Sequence, residues 1–172
     1  SRMLEAPSGM VAYWDFEEAS GNTVYDRTAG GNNGTLTNMD AATDRITGGK
    51  VCRALDFDGA DDYVLVPASN LDITGDISIS MWVRPNVSSN SFHSSWNYFL
   101  WQKDPNVSNT TKQELGYYND NGPRFKPYNQ PGTDYDFSPD VVFNAGTWYH
   151  VVYIRRGTSL EIYINGTLAD SR

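Results

Sequence analysis

The sequence predicts an all-β protein, a two-sheet antiparallel β-sandwich, and three observations carry that reading. The first is the alternation at 76–85: Ile77, Ile79, Met81 and Val83 face one way, and Ser78, Ser80, Trp82 and Arg84 face the other. The second is the closing stretch, where two β-rich runs, 148–154 and 160–164, flank Arg155, Arg156, Gly157, Thr158 and Ser159. In its second run Leu160, Ile162 and Ile164 oppose Glu161, Tyr163 and Asn165, the period of a half-buried strand. That run ends on Asn165-Gly166, a dipeptide that accepts positive φ at both positions and so favours a tight hairpin. The third is negative: no segment shows a capped helical period, while Gly, Asn, Ser, Thr and Asp fill the gaps between apolar runs.

In chain order, residues 10–16 form a first apolar run, followed by a polar, Gly- and Asn-rich stretch to Asn38 broken by Val24 and Tyr25. Residues 54–57 and 63–66 read as short strands flanking a turn at 58–62. Pro85 stops the strand of the best alternation. Residues 97–101 make another strand, 114–118 and 124–125 are weaker candidates, and 141–143 leads into the closing pair. Residues 86–96 and 126–139 are long for hairpin connections, and loops of that length often carry function.

With 172 residues, one domain is the simplest count. The net charge of −8 argues against a nucleic-acid groove, which needs clustered Lys and Arg, and against docking on anionic lipid. No apolar run reaches the roughly 20 residues of a membrane span. The single cysteine, Cys52, can close no disulfide within the chain and sits at an alternating position in 51–57, which predicts an inert buried thiol. Aromatics at 13%, eleven of them Tyr and five Trp, suit a secreted β-sandwich and also suit sugar binding, where flat rings stack on apolar sugar faces.

Four segments, 11–21, 24–36, 54–64 and 147–152 with 160–166, together with the strand at 77–85, resemble the laminin-G-like branch of the concanavalin A-like lectin and glucanase superfamily, of the type found in secreted bacterial proteins. The resemblance implies two curved antiparallel sheets packed face to face as a jelly roll, with 1–9 as a tail and 10–172 as the domain. Such domains continue through several strands beyond the Asn-Gly hairpin. The resemblance therefore implies that the domain is cut short, its carboxy-terminal piece either missing or present as a separate fragment that completes the fold as a partner.

Asp26, Asn32, Asn33 and the glycines at 30, 31 and 34 form the sharpest polar constellation. Calcium takes six to eight oxygens, and a Gly-rich loop can converge carbonyls on an ion, although such loops commonly just turn. In many relatives the matching loop holds a structural calcium, so the resemblance implies Asp26 and Asn32 as metal ligands and calcium as cofactor. Asp15 and Glu17 read as solvated or turn-capping. His93 and His150 are too few and too scattered for zinc.

Catalysis finds no support in the motifs. The Glu-x-Asp-x-Glu strand of glucanase relatives is absent, and Asp56 and Asp58 match a structural turn. Arg155 and Arg156 read as a charged hairpin tip. Ligand contact is expected from loops with exposed rings: His93 and Trp96 in one, Tyr128, Asn129 and Tyr135 in the other. Trp82, Trp101 and Trp148 read as core or sheet-face residues. Asn-x-Ser/Thr sequons at Asn33, Asn86, Asn106, Asn109 and Asn165 read as products of composition rather than glycan acceptors. The function expected is that of an extracellular, non-catalytic recognition module, binding a glycan or polysaccharide and stabilised by calcium, as an accessory part of a larger secreted enzyme or adhesin. The alternatives are a protein-binding or structural spacer, and a polysaccharide hydrolase or lyase of the same fold.

Overall fold

The computed structural model describes residues 6, 8–67, 71, 73, 75–88, 96–103, 111–118, 123–126 and 141–172. Among them there is no helix, and every strand pairing is antiparallel, so the fold class is the predicted all-β one. The chain divides into two compact units, residues 1–72 and 73–172.

In the first unit, β1 (Thr23–Val24), β2 (Gly34–Thr37) and β5 (Tyr63–Leu65) make one sheet, in the order β1-β2-β5. A two-stranded ribbon joins β3 (Arg45–Ile46) to β4 (Ala54–Leu55). Gly34 is required by packing: a Cβ there would lie 2.5 Å from a Val64 methyl on the paired strand. The apolar core is small, with Val24, Leu36 and Met39 buried and Trp14, Phe16, Leu55 and Val64 packed against it.

The second unit holds two sheets. One has the order β12-β11-β10-β6, from β6 (Ile77–Val83), β10 (Tyr149–Arg156), β11 (Ser159–Ile164) and β12 (Thr167–Ser171). The other is β7 (Trp96–Lys103), β8 (Thr111–Tyr118) and β9 (Pro123–Lys126). β6 alternates between half-buried and exposed positions, and β10 and β11 bury every second residue, as the period-2 pattern predicts. Val151, Tyr153, Ile162 and Leu115 are essentially inaccessible, so the two sheets share one core. Phe143 stacks on Tyr149 with ring centroids 4.1 Å apart. Asn165 and Gly166 adopt φ of 52° and 81°, the doubly positive geometry their hairpin demands.

Two expectations, on Cys52 and Arg155, are corrected, and two of the apolar runs form no strand. The run 10–16 is not a strand. It makes a single bridge, Trp14 with Asp26, because Tyr13 N–H is taken by the Asp26 side chain and Phe16 turns at φ 58°. Residues 141–143 form no strand either, although Phe143 fills the core. Cys52 is exposed at φ 58°, not buried, because a tight turn in which Gly49 N–H donates to the Cys52 carbonyl interrupts the alternation. Arg155 is no hairpin tip: the turn is Gly157-Thr158, and Arg155 lies buried on the core-facing phase of β10. Its guanidinium donates to the carbonyls of Ile73 and Gly75. Burial pulls its pKa below the ordinary value, and Asp76 opposes that pull.

Candidate functional site

The outward face of the β6–β10 pair collects side chains that the core does not use. Antiparallel register sets His150 opposite Trp82, Val152 opposite Ser80 and Ile154 opposite Ser78. Trp82 is 44% exposed, on the edge strand of its sheet. Its ring lies 4.9 Å from that of His150, tilted by 31°. His150 Nε2 is 2.8 Å from Ser80 Oγ, a diagonal contact across the two strands. Beside them, Asn165 Oδ1 accepts the His150 backbone N–H, and Tyr163 O–H donates to Glu161 Oε2 at 2.8 Å. The Glu161 contact pushes the Tyr163 hydroxyl above its ordinary pKa and keeps it a donor. Arg84 stacks over Trp148 at 5.2 Å. The result is a sheet-face ledge: the Trp82 indole beside an imidazole that reaches a hydroxyl, and a second indole, Trp148, under a guanidinium.

This ledge was within reach of the sequence. Trp82 falls on the polar phase of its strand and His150 on the phase opposite Tyr149, Val151 and Tyr153. The strand register that sets the two rings side by side was the missing step. The loop residues proposed from sequence fare differently. His93, Tyr128, Asn129 and Tyr135 lie outside the described residues, and Trp96 opens β7 with only its backbone described.

A hydrogen-bonded Ser and His suggest a nucleophile and its base, but the rest of that machinery does not assemble. Among the described residues no carboxylate orients the imidazole. Ser80 lies within β6, in register with Val152 of β10.

The Asp26 loop is a closed network. Asp26 Oδ1 accepts Tyr13 N–H at 3.0 Å, Thr28 N–H at 2.9 Å and Thr28 Oγ1–H at 2.9 Å. Oδ2 accepts Asn32 N–H at 2.9 Å and Asn32 Nδ2–H at 3.0 Å. Burial raises the Asp26 pKa, but these bonds from Tyr13, Thr28 and Asn32 outweigh it and lower the value from 3.8 to about 2. Structure thus brings the two predicted metal ligands together, but as acceptor and donor to each other, an arrangement that does not fit shared calcium coordination. The neighbouring acids are engaged too. Asp15 and Glu18 hold Arg27, and Glu17 accepts Arg53 N–H. Asp58, Asp61 and Asp62 bring carboxylate oxygens within 4.8 Å of one another at an exposed turn, where Asp58 accepts the N–H groups of Ala60 and Asp61.

Antiparallel pairing throughout, with aromatic and polar groups gathered on one sheet face, defines an all-β scaffold. A laminin-G-like family model, of the concanavalin A-like lectin/glucanases superfamily, matches residues 58–172, and the chain belongs to that family. Laminin-G-like domains are generally non-catalytic binding modules and are commonly extracellular. The match covers the ledge and the acidic turn, and the Asp26 loop precedes it. No curated protein and no solved structure matches the chain. No helix among the described residues is long and apolar enough to cross a membrane.

Proposed function

We propose that this domain is an extracellular carbohydrate-recognition module, and that the Trp82 ledge is its contact surface. One observation carries the reading: a half-exposed indole held at fixed tilt by His150, with the Ser80 hydroxyl within hydrogen-bond reach of the imidazole. A pyranose ring offers an apolar C–H face and a rim of hydroxyls. The indole complements the first, and the groups around it the second. Sheet residues are positioned more precisely than loop residues, so little ordering entropy is lost on binding. The domain acts as a non-catalytic accessory part of a larger secreted protein. Its family membership supports a binding role and an extracellular setting.

The test is a glycan array of plant, algal and animal polysaccharides, probed with the wild type and with Trp82→Ala. A Trp anchor is worth about 2 kcal/mol or more, so the variant loses roughly 30-fold in affinity on every hit while its melting temperature is kept. Silence across the array, or hits indifferent to Trp82→Ala, would refute the proposal. Release of reducing sugar from any polysaccharide would move the domain to the enzymes of its fold.

A further inference from the structure

We propose that the Asp26 loop is closed by the chain's own hydrogen-bond donors where a cation would otherwise be expected, so that this domain needs no calcium to hold its fold. The Asp26 carboxylate has about four lone-pair sites and faces five donor contacts, from Tyr13, Thr28 and Asn32. Calcium is held by oxygen, and Asn32 presents nitrogen. Its Nδ2 donates both to Asp26 Oδ2 and to the Val11 carbonyl at 3.1 Å, and two acceptors on one side fix which end of the amide points there. Reversing the amide would set oxygen against oxygen twice.

Three backbone oxygens around the loop each already accept an internal donor. The Tyr13 carbonyl accepts Arg27 N–H at 2.8 Å, the Gly31 carbonyl accepts Asn33 N–H at 2.8 Å, and the Asn32 carbonyl accepts the Trp14 indole N–H at 2.8 Å. Nor is there spare volume at the base of the loop. A Cβ added to Gly30 would lie 2.6 Å from Asn32 Nδ2 and 2.8 Å from the Val11 carbonyl. Converging N–H dipoles neutralise the buried anion, which makes Asp26 the bound ion of its own nest. What the knot achieves is the fastening of residues 11–14 to the loop at 26–33, the task a structural cation performs elsewhere.

Two experiments on the whole chain decide it. The first is thermal unfolding in about 1 mM calcium and in excess chelator. A site with an affinity of about 10 μM would stand near 100 times saturation and raise the melting temperature by several degrees. The proposal expects a change below about 1 °C, and a drop of roughly 5 °C in Asp26→Asn that calcium does not reverse. A calcium-dependent rise that disappears in Asp26→Asn would overturn it. The second reads the wild-type chain first: terbium as a calcium surrogate, excited through tryptophan, with Trp14 beside the loop as antenna. No saturable emission from this antenna is expected. Emission that titrates to saturation and vanishes in Trp14→Phe would place an ion in the loop and overturn the proposal. Emission that survives Trp14→Phe would place the ion elsewhere and agree with it.

Discussion

The two units of the chain are held by different chemistry. In the second, eight apolar side chains are buried together, and Arg155 is the one buried charged residue among those described. In the first, three buried apolar residues share the interior with Glu18, Asp26, Asn32 and Arg45. Arg45 illustrates the style. Its side chain is 1% exposed, pairs with Glu18 at 3.3 Å, and donates to the carbonyls of Gly21 and Thr23. Glu18 also holds Arg27 and the Tyr25 N–H. A hydrophobic core tolerates repacking, whereas a buried polar network fails when one member is removed, because the remaining groups keep their desolvation penalty. The comparison teaches that this fold can be stabilised locally without a large core, provided every buried polar group has a partner.

That contrast is open to attack from both sides. The largest effect belongs to the polar unit: Arg45→Ala takes the donor from Glu18 Oε2 and from the Gly21 and Thr23 carbonyls, and should cost about 3–5 kcal/mol in denaturant unfolding. Replacement by Met, which is apolar and long, should recover only part of it, since Glu18 Oε2 and the Gly21 and Thr23 carbonyls still lose their donor. In the apolar unit, Ile162→Ala should cost about 2–5 kcal/mol through transfer and cavity terms, and Ile162→Val only about 1 kcal/mol. If Arg45→Met proves as mild as Ile162→Val, the two units are not held differently.

Acid gives a smaller and more selective effect. Asp26 has its pKa depressed from 3.8 to about 2 by the bonds of its loop, so its contribution is fully present above about pH 5. It falls away as the pH drops below about 4 and through about 2, because the unfolded chain then binds the proton more readily. Allowing for solvent near the loop, about 1–2 kcal/mol is at stake, visible as a melting temperature that declines in this window. It declines less steeply in Asp26→Asn, where Asp58, also held below its ordinary pKa by backbone N–H groups, still titrates. The smallest effect on stability is expected at the ledge. Trp82→Ala removes an exposed ring from an outer face and should shift unfolding by about 0.5 kcal/mol or less, so that any loss of glycan binding reports recognition alone.

The same contrast explains what could be read from the sequence. β6, β10 and β11 were legible because each alternates over six or more residues against a real core, and Asn165-Gly166 names its own turn. β2 and β3 were not. β2 has four residues in a Gly- and Asn-rich stretch and β3 has two just beyond it, too few for alternation to leave a periodic signature. Cys52 and Arg155 misled for a related reason: alternation was extended across a tight turn in one case and cut short before the strand ended in the other. At the candidate site, the sequence placed Trp82 and His150 on outward phases of two strands but could not give the register that joins them.

Hydrogen exchange followed by mass spectrometry at pH 7 and near pH 3 addresses the division most directly. Protection in 149–164 should persist in acid while peptides spanning 11–36 open first, because only the latter depend on an ionised buried carboxylate. Simultaneous loss of protection in both segments, or earlier loss in 149–164, would show that a single shared core sustains the chain and would contradict the account.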